Sequence, residues 1–234
     1  MMFPEFSRSD QNSMKVSIAF LKGLGKRVFG RRRNKVFIIG FHKTGTTSLG
    51  KALQILGYRV CGSLKNAYDY KQHQDPKEYI VTKAKEQVKK YDAFQDTPWF
   101  LFYKEMYQLY PDAYFILTIR PTDRWLASVQ KHFADKRFKY HDLIYDTPNS
   151  LECGVHYSRT YDTHNTEVVE FFKEKGNLKV MDVAHAQWSD LGEFLQIRTP
   201  KTAFPHANKA KYRGTSLAKV RMWIKKRYYK QTSN

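Results

Sequence analysis

Residues 40–48 bring a lysine, two glycines and several hydroxyl side chains together, in the order Gly-Phe-His-Lys-Thr-Gly-Thr-Thr-Ser. An apolar, mostly β-branched segment precedes them, and the helical pattern of Leu49, Leu53 and Leu56 follows. A loop between a strand and a helix aims several backbone N–H groups, and the positive end of the helix dipole, at one point. Lys43 adds a cation. The stretch therefore predicts a binding loop for a phosphate or sulfate group, and the alternative is a glycine-containing turn between core elements.

The loop matches the Walker A pattern G-x-x-x-x-G-K-[ST] except at one position. Gly40, Gly45 and Thr47 have the required spacing, but Thr46 stands where the pattern has lysine. The lysine is Lys43, inside the loop, so its ammonium approaches the anion from a different side. Phosphate binding is compatible with this change, whereas the inference to ATP and magnesium is not.

A carboxylate and an arginine follow two later strand-like segments. Asp96 comes before Thr-Pro, where it either points towards the loop of Lys43 or caps the helix that follows Pro98. Arg120 ends an apolar run that has the composition of a strand buried on both faces. Ser128 lies eight positions later, near enough for both side chains to reach one group at the start of a helix. Alone, Arg120 is also compatible with a structural ion pair.

The elements that must position these residues alternate along the chain. Alternation of apolar strands and amphipathic helices is typical of an α/β fold with a central, mostly parallel sheet flanked by helices. Strands are predicted over 35–39, 58–61, the segment before Asp96, 113–120 and 178–183; helices are predicted over 49–56, 78–90, 101–110, 125–133, 155–173 and 188–195, with residues 134–158 irregular.

The chain has 234 residues, enough for one α/β domain, and a formal net charge of +19 that is concentrated at its two ends. We expect a basic arm over 1–34, the main domain over 35–208, and a basic helix over 209–234 packed on it. Such charged ends are compatible with a solvated face, an acidic polymer as partner, or an anionic membrane surface. Two cysteines and no long apolar run favour a cytoplasmic location, either free or at the periphery of a membrane.

Taken together, these residues resemble the sulfotransferase family, which uses 3'-phosphoadenosine 5'-phosphosulfate (PAPS) as donor. The resemblance covers residues 35–208 and implies a three-layer, P-loop-like fold with no metal. It includes the loop, an Arg and a Ser eight apart, and the ending Phe-Pro-His-Ala-Asn at 204–208, which is similar to that of small bacterial members. The donor-binding positions that it implies are Lys43, Thr44, Gly45, Thr46, Thr47, Ser48, Arg120, Ser128 and, within a partly matching basic loop, Arg213.

The resemblance also implies a catalytic pair and leaves the acceptor open. Lys43 would stabilise charge on the leaving phosphate oxygen, and Asp96 would take the proton of an acceptor hydroxyl or amine on a small molecule or saccharide. Many members have a histidine base where this chain has Asp96-Thr-Pro, and His42, His132 and His206 are rival bases. The competing functions are a nucleotide kinase or NTPase, and a non-catalytic protein that binds a membrane surface or nucleic acid. Nucleic acid is the partner least expected.

Overall fold

Five parallel strands form the sheet in the residues that the computed structural model describes, which are 34–134, 136–147 and 149–206. The strands run in the order β2-β3-β1-β4-β5, and every neighbouring pair is parallel. They are β1 (Val36–Ile38), β2 (Val60–Cys61), β3 (Ala93–Phe94), β4 (Tyr114–Thr118) and β5 (Leu178–Met181). The predicted α/β class with a parallel sheet is confirmed.

Seven helices and four short 3-10 turns connect these strands in the described residues. The helices are α1 (Thr46–Ile55), α2 (Pro76–Val88), α3 (Tyr103–Leu109), α4 (Thr122–Phe133), α5 (His141–Ile144), α6 (Gly154–Phe172) and α7 (Trp188–Leu195); the 3-10 turns are Lys65–Ala67, Tyr70–Gln72, Trp99–Phe102 and Val183–His185. None of these helices is both long and apolar enough to cross a bilayer.

The sheet is covered on both faces, which makes the domain three layers thick. Successive residues of β1 point to opposite sides, so Phe37 joins one apolar core while Val36 and Ile38 join the other. Helices α2, α3, α4 and α6 contribute buried side chains to the first core, and α1 and α7 contribute to the second. Burial on both faces explains why the central strands β1, β3 and β4 are almost entirely apolar.

Local signals in the sequence account for the start of α2, and two predictions need correction. Asp75 caps α2 by accepting a hydrogen bond from the Glu78 N–H at 2.9 Å, and proline opens the helix at Pro76. The helix predicted over 101–110 begins instead as the 3-10 turn Trp99–Phe102. The segment predicted to be irregular over 134–158 contains α5 and the first turn of α6. The predicted arm over 1–34 and helix over 209–234 lie outside the described residues, apart from Asn34.

Candidate active site

A cleft of about 810 Å³ opens where the strands end, and its lining residues follow β1, β2, β3, β4 and β5. Every predicted site residue except Arg213 lines it: Lys43, Thr44, Gly45, Thr46, Thr47, Ser48, Asp96, Arg120 and Ser128. Arg213 lies outside the described residues. The carboxyl ends of parallel strands meet at one edge of a sheet, so residues far apart in sequence converge there.

The loop after β1 is held tightly against β4. A Cβ on Gly40 would lie 2.1 Å from Thr118 Oγ1 and 2.3 Å from the Thr118 carbonyl oxygen, so only glycine fits there. Thr44 Oγ1 lies 2.6 Å from Thr118 Oγ1 and donates a hydrogen bond to the Phe41 carbonyl at 2.5 Å. These contacts anchor the loop to the neighbouring strand and fix the direction of its backbone.

The loop turns into α1 through two left-handed residues. Lys43 has a φ of 66° and Gly45 a φ of 101°. The Gly45 carbonyl accepts hydrogen bonds from the N–H groups of Ser48 (3.0 Å) and Leu49 (3.2 Å), which starts the helix. The first turn of α1, described throughout, carries no acidic side chain. The positive end of its dipole therefore faces the cleft without a carboxylate on the helix's own first turn.

Arg120 is coupled to the same loop. Its Nη1 donates a hydrogen bond to the Lys43 carbonyl at 2.9 Å, while its backbone N–H and C=O both bond to the Tyr161 hydroxyl at 3.0 Å. Burial lowers the pKa of Lys43, and the nearby charge of Arg120 lowers it further. Two cations that repel each other at the start of a helix favour an anion between them.

Asp96 lies on the loop after β3 and faces the same cleft as Lys43. Its φ is 75°, and its carboxylate accepts a hydrogen bond from the Thr97 N–H at 2.8 Å. Burial raises the pKa of Asp96, whereas that hydrogen bond and the charge of Lys43 oppose the rise. The alternative role as a helix cap is wrong, because the turn Trp99–Phe102 starts from Pro98 without any side-chain cap.

The three rival histidines occupy different environments. His42 is buried, its Nε2 lies 2.8 Å from the Tyr145 hydroxyl, and burial lowers its pKa to about 3. His132 is exposed at the cleft, and partial burial together with the Lys43 charge lowers its pKa. His206 also lines the cleft and is exposed. Of the three, His42 is held as a neutral ring inside the protein.

The structure adds residues that sequence reasoning missed. Tyr161 holds the backbone of Arg120 from 41 positions away, and no pattern in the sequence indicates it. Asp182 lies just after β5, where the rule about strand ends would have suggested it. Its two carboxylate oxygens accept hydrogen bonds from the Ala184 N–H and from His185 Nδ1, both at 3.0 Å. We interpret Asp182 as a residue that shapes the end of the cleft.

Fold and site together define a class: an α/β domain with a glycine-containing loop before a helix, two cations and a half-buried carboxylate at the strand ends. A family model described as a sulfotransferase domain matches residues 35–212, about three quarters of the chain. The chain therefore belongs to the sulfotransferase family, as its motifs predicted, and sulfuryl transfer is the chemistry of that family. No curated protein matches the chain.

Proposed function

We propose that the protein transfers a sulfuryl group from PAPS to an acceptor hydroxyl or amine, with Asp96 as the base. The observation that supports this most directly is the convergence of Lys43, Arg120 and Asp96 on one cleft at the N-terminus of α1. Two cations and a helix N-terminus suit a donor with several anionic groups, and the carboxylate suits an acceptor that must lose a proton.

The residues present fit PAPS at two points. The loop around Lys43 offers backbone N–H groups, hydroxyls and an ammonium group to the 5'-phosphosulfate. Gly40 and Gly45 let this loop pack closely against Thr118 and Val183, which fixes the direction of those groups. Arg120 and Ser128 line the same cleft and would hold the 3'-phosphate. An arginine suits this task because its planar guanidinium can form two parallel hydrogen bonds to phosphate oxygens.

The proposed mechanism divides the work between two charged side chains. When bound, PAPS supplies the sulfuryl group and a phosphate as leaving group. Lys43 and the loop amides stabilise the negative charge that grows on the oxygen between phosphorus and sulfur. Asp96 accepts the proton of the acceptor. Its burial makes the carboxylate more basic, while the charge of Lys43 helps to keep it ionised at neutral pH.

The donor is tested by thermal shift with PAPS, with its desulfated product 3'-phosphoadenosine 5'-phosphate (PAP), and with ATP in the presence of Mg²⁺. PAPS and PAP should raise Tm by several degrees at concentrations far above Kd, because ligands that bind only the folded state stabilise it. ATP with Mg²⁺ should shift Tm much less. Stabilisation by ATP with Mg²⁺ and none by PAP would instead favour a nucleotide kinase or NTPase.

The base is tested with Asp96→Asn, which should lower transfer by roughly a hundredfold to ten-thousandfold while PAP binding is retained.

Folding raises the pKa of Asp96, so the ionised carboxylate destabilises the folded state at any pH above the pKa that Asp96 has in the unfolded chain. Asp96→Asn should therefore raise Tm at pH 7, and this gain should vanish as the pH falls below that unfolded-state pKa. In the wild type, turnover should fall as the pH drops through the raised pKa.

Asp96→Glu is the conservative control, because it keeps a carboxylate on a longer side chain. It should recover part of the transfer that Asp96→Asn loses. Unchanged turnover in Asp96→Asn would remove Asp96 from the mechanism and return attention to His132 and His206, which also line the cleft.

A further inference from the structure

One group of cleft residues takes no part in the proposed donor binding; we call it the acceptor side, and it comprises Ser63, Tyr68, Thr97, Phe133, Phe138 and Lys139. We propose that the acceptor side selects a saccharide that carries an anionic group, with Lys139 and Tyr68 as the residues that determine this specificity. This inference rests on the proposed function, because it takes sulfuryl transfer beside Asp96 as given.

A row of hydroxyl groups leads along the acceptor side to the proposed base. The Ser63 hydroxyl lies 3.2 Å from the Tyr68 hydroxyl and 3.4 Å from Thr97 Oγ1. Thr97 in turn donates its backbone N–H to the Asp96 carboxylate. Hydroxyl groups both donate and accept, so the row can match several hydroxyls on one ligand.

Aromatic rings supply the remaining surface. Phe133 and Phe138 stack with ring centroids 4.4 Å apart and pack edge-on against His42, at 5.0 and 5.2 Å, which holds the pair in place. Tyr68 packs edge-on against Tyr140 at 5.5 Å. Aromatic rings provide a large apolar contact surface at low cost in side-chain entropy. Rings beside a row of hydroxyls suit a sugar, which has apolar C–H faces and polar edges.

The charged side chains along the cleft indicate which charge the acceptor should carry. Among the described residues, the ammonium or guanidinium groups that line the cleft are those of Lys43, Arg120 and Lys139, and the first two are assigned to the donor. Lys139 is exposed, and its Nζ lies 5.7 Å from the centre of the Tyr68 ring. The acids that line it in the same part of the chain are Asp96, the proposed base, and Asp182, which is already hydrogen-bonded to His185. An anionic group on the acceptor therefore meets the Lys139 cation.

In this arrangement, one sugar hydroxyl attacks sulfur while the ring rests on the aromatic surface. Its oxygen forms a bond to sulfur as the bond between sulfur and the donor phosphate oxygen breaks, and the electron pair of that bond stays with the phosphate. The hydroxyl proton passes to the Asp96 carboxylate. Lys139 acts by holding the acceptor and touches no reacting atom.

The test compares methyl β-glucuronide with methyl β-glucoside as acceptors, since the two differ only at C6, where the glucuronide has a carboxylate and the glucoside a hydroxymethyl group. With PAPS as donor, the wild type should show a KM roughly three- to tenfold lower for the glucuronide, as expected for a partly exposed ion pair. Lys139→Ala should equalise the two KM values, and Lys139→Glu should reverse their order. Tyr68→Phe keeps the ring but loses the hydroxyl, and it should raise both KM values by roughly two- to tenfold.

Lys104→Ala is the matched control, because the Lys104 ammonium also lies 5.7 Å from a tyrosine ring, that of Tyr103, but does not line the cleft. It should preserve the preference for the glucuronide. Equal KM values in the wild type, a preference that survives Lys139→Glu, or sulfation of neither sugar would overturn the inference. The Tm shift caused by PAP is measured in the same samples. Loss of that shift counts against the proposed function itself, whereas a normal shift confines the failure to the acceptor side.

Discussion

The donor side of the cleft, formed by loop 40–48 with Arg120 and Ser128, differs from the acceptor side in how the chain builds it. The loop directly follows β1 and Arg120 follows β4, and these central strands pair in register from Val36 with Tyr114 to Ile38 with Ile116. The acceptor side comes from Ser63 and Tyr68 after β2, from Thr97 after β3, from Phe133 at the end of α4, and from Phe138 and Lys139 beyond it. The donor side is attached mainly to two central strands, whereas most of the acceptor side, apart from Thr97, is carried on connections farther from them.

The donor side is also more tightly packed than the acceptor side. A Cβ at Gly40, on the donor side, would lie less than 2.5 Å from two atoms of Thr118, whereas a Cβ at Gly62, beside the acceptor-side Ser63, would meet nothing within 4 Å. The donor geometry is thus set by close backbone contact, which tolerates little change. The acceptor geometry is set by side chains with room around them. Such a division lets one fold keep its donor chemistry while the acceptor varies.

The largest expected effect comes from removing the cation of the donor side. Lys43→Met keeps a similar length without the charge and should lower kcat by roughly a hundredfold to a thousandfold, as the loss of one stabilising donor to a transition-state anion does. Because burial and Arg120 already lower the pKa of Lys43, the folded protein should not lose stability. Steady-state kinetics with thermal unfolding measures both quantities.

Lys51→Met provides the control for this change. Lys51 is exposed on α1, shortly after the loop, and does not line the cleft. It should leave kcat unchanged. An unchanged kcat in Lys43→Met would show that the loop N–H groups and Arg120 are enough to stabilise the charge on the leaving phosphate oxygen. The contrast between the two sides would then rest on packing alone.

A smaller effect is expected from paired glycine substitutions that measure this difference in packing. Gly40→Ala should destabilise the protein by about 1–3 kcal/mol, as overpacking typically does, and a domain of this size loses about 2–4 °C of Tm per kcal/mol. Gly62→Ala should leave Tm unchanged or raise it slightly, since its Cβ has space and alanine restricts the unfolded chain. Thermal unfolding of both variants is the measurement. Equal losses would contradict the proposed difference between the sides.

The contrast also explains what the sequence could predict. Short, continuous sequence patterns predict the donor side. An apolar strand, a loop of small residues and a helix follow one another in one stretch, and an arginine ends the most apolar run. Strand ends meet at one edge in a parallel sheet, so the convergence of Lys43, Asp96 and Arg120 on one cleft followed from topology. The family and the fold class were predicted correctly for the same reason.

For the acceptor side, the sequence indicated only that the irregular segments around residues 68–79 and 133–161 would line its pocket. Its individual contacts could not be predicted, because they join residues that no local pattern connects. The segment after α4 looked irregular, yet α5 forms within it and the Tyr140 hydroxyl reaches back 76 positions to the Leu64 carbonyl at 2.5 Å. Tyr68 and Phe138 meet the cleft only after these long-range contacts form. Side-chain packing of this kind depends on the finished tertiary structure. Arg213 stays a prediction.

The smallest expected effect concerns His42, which lies at the border between the two sides. Its ring packs against Phe133 and Phe138, while its backbone continues into Lys43. Burial lowers its pKa to about 3, so the ring should stay neutral from pH 5 to 8. Nitrogen NMR of the histidine rings should show no change at His42 over this range, and Tyr145→Phe, which removes the partner of Nε2, identifies the signal. A midpoint between pH 5 and 8 would make His42 a rival to Asp96 as the base. A flat profile means that the His42 ring keeps one protonation state where the two sides meet, so any titration of turnover in that range must arise from another group.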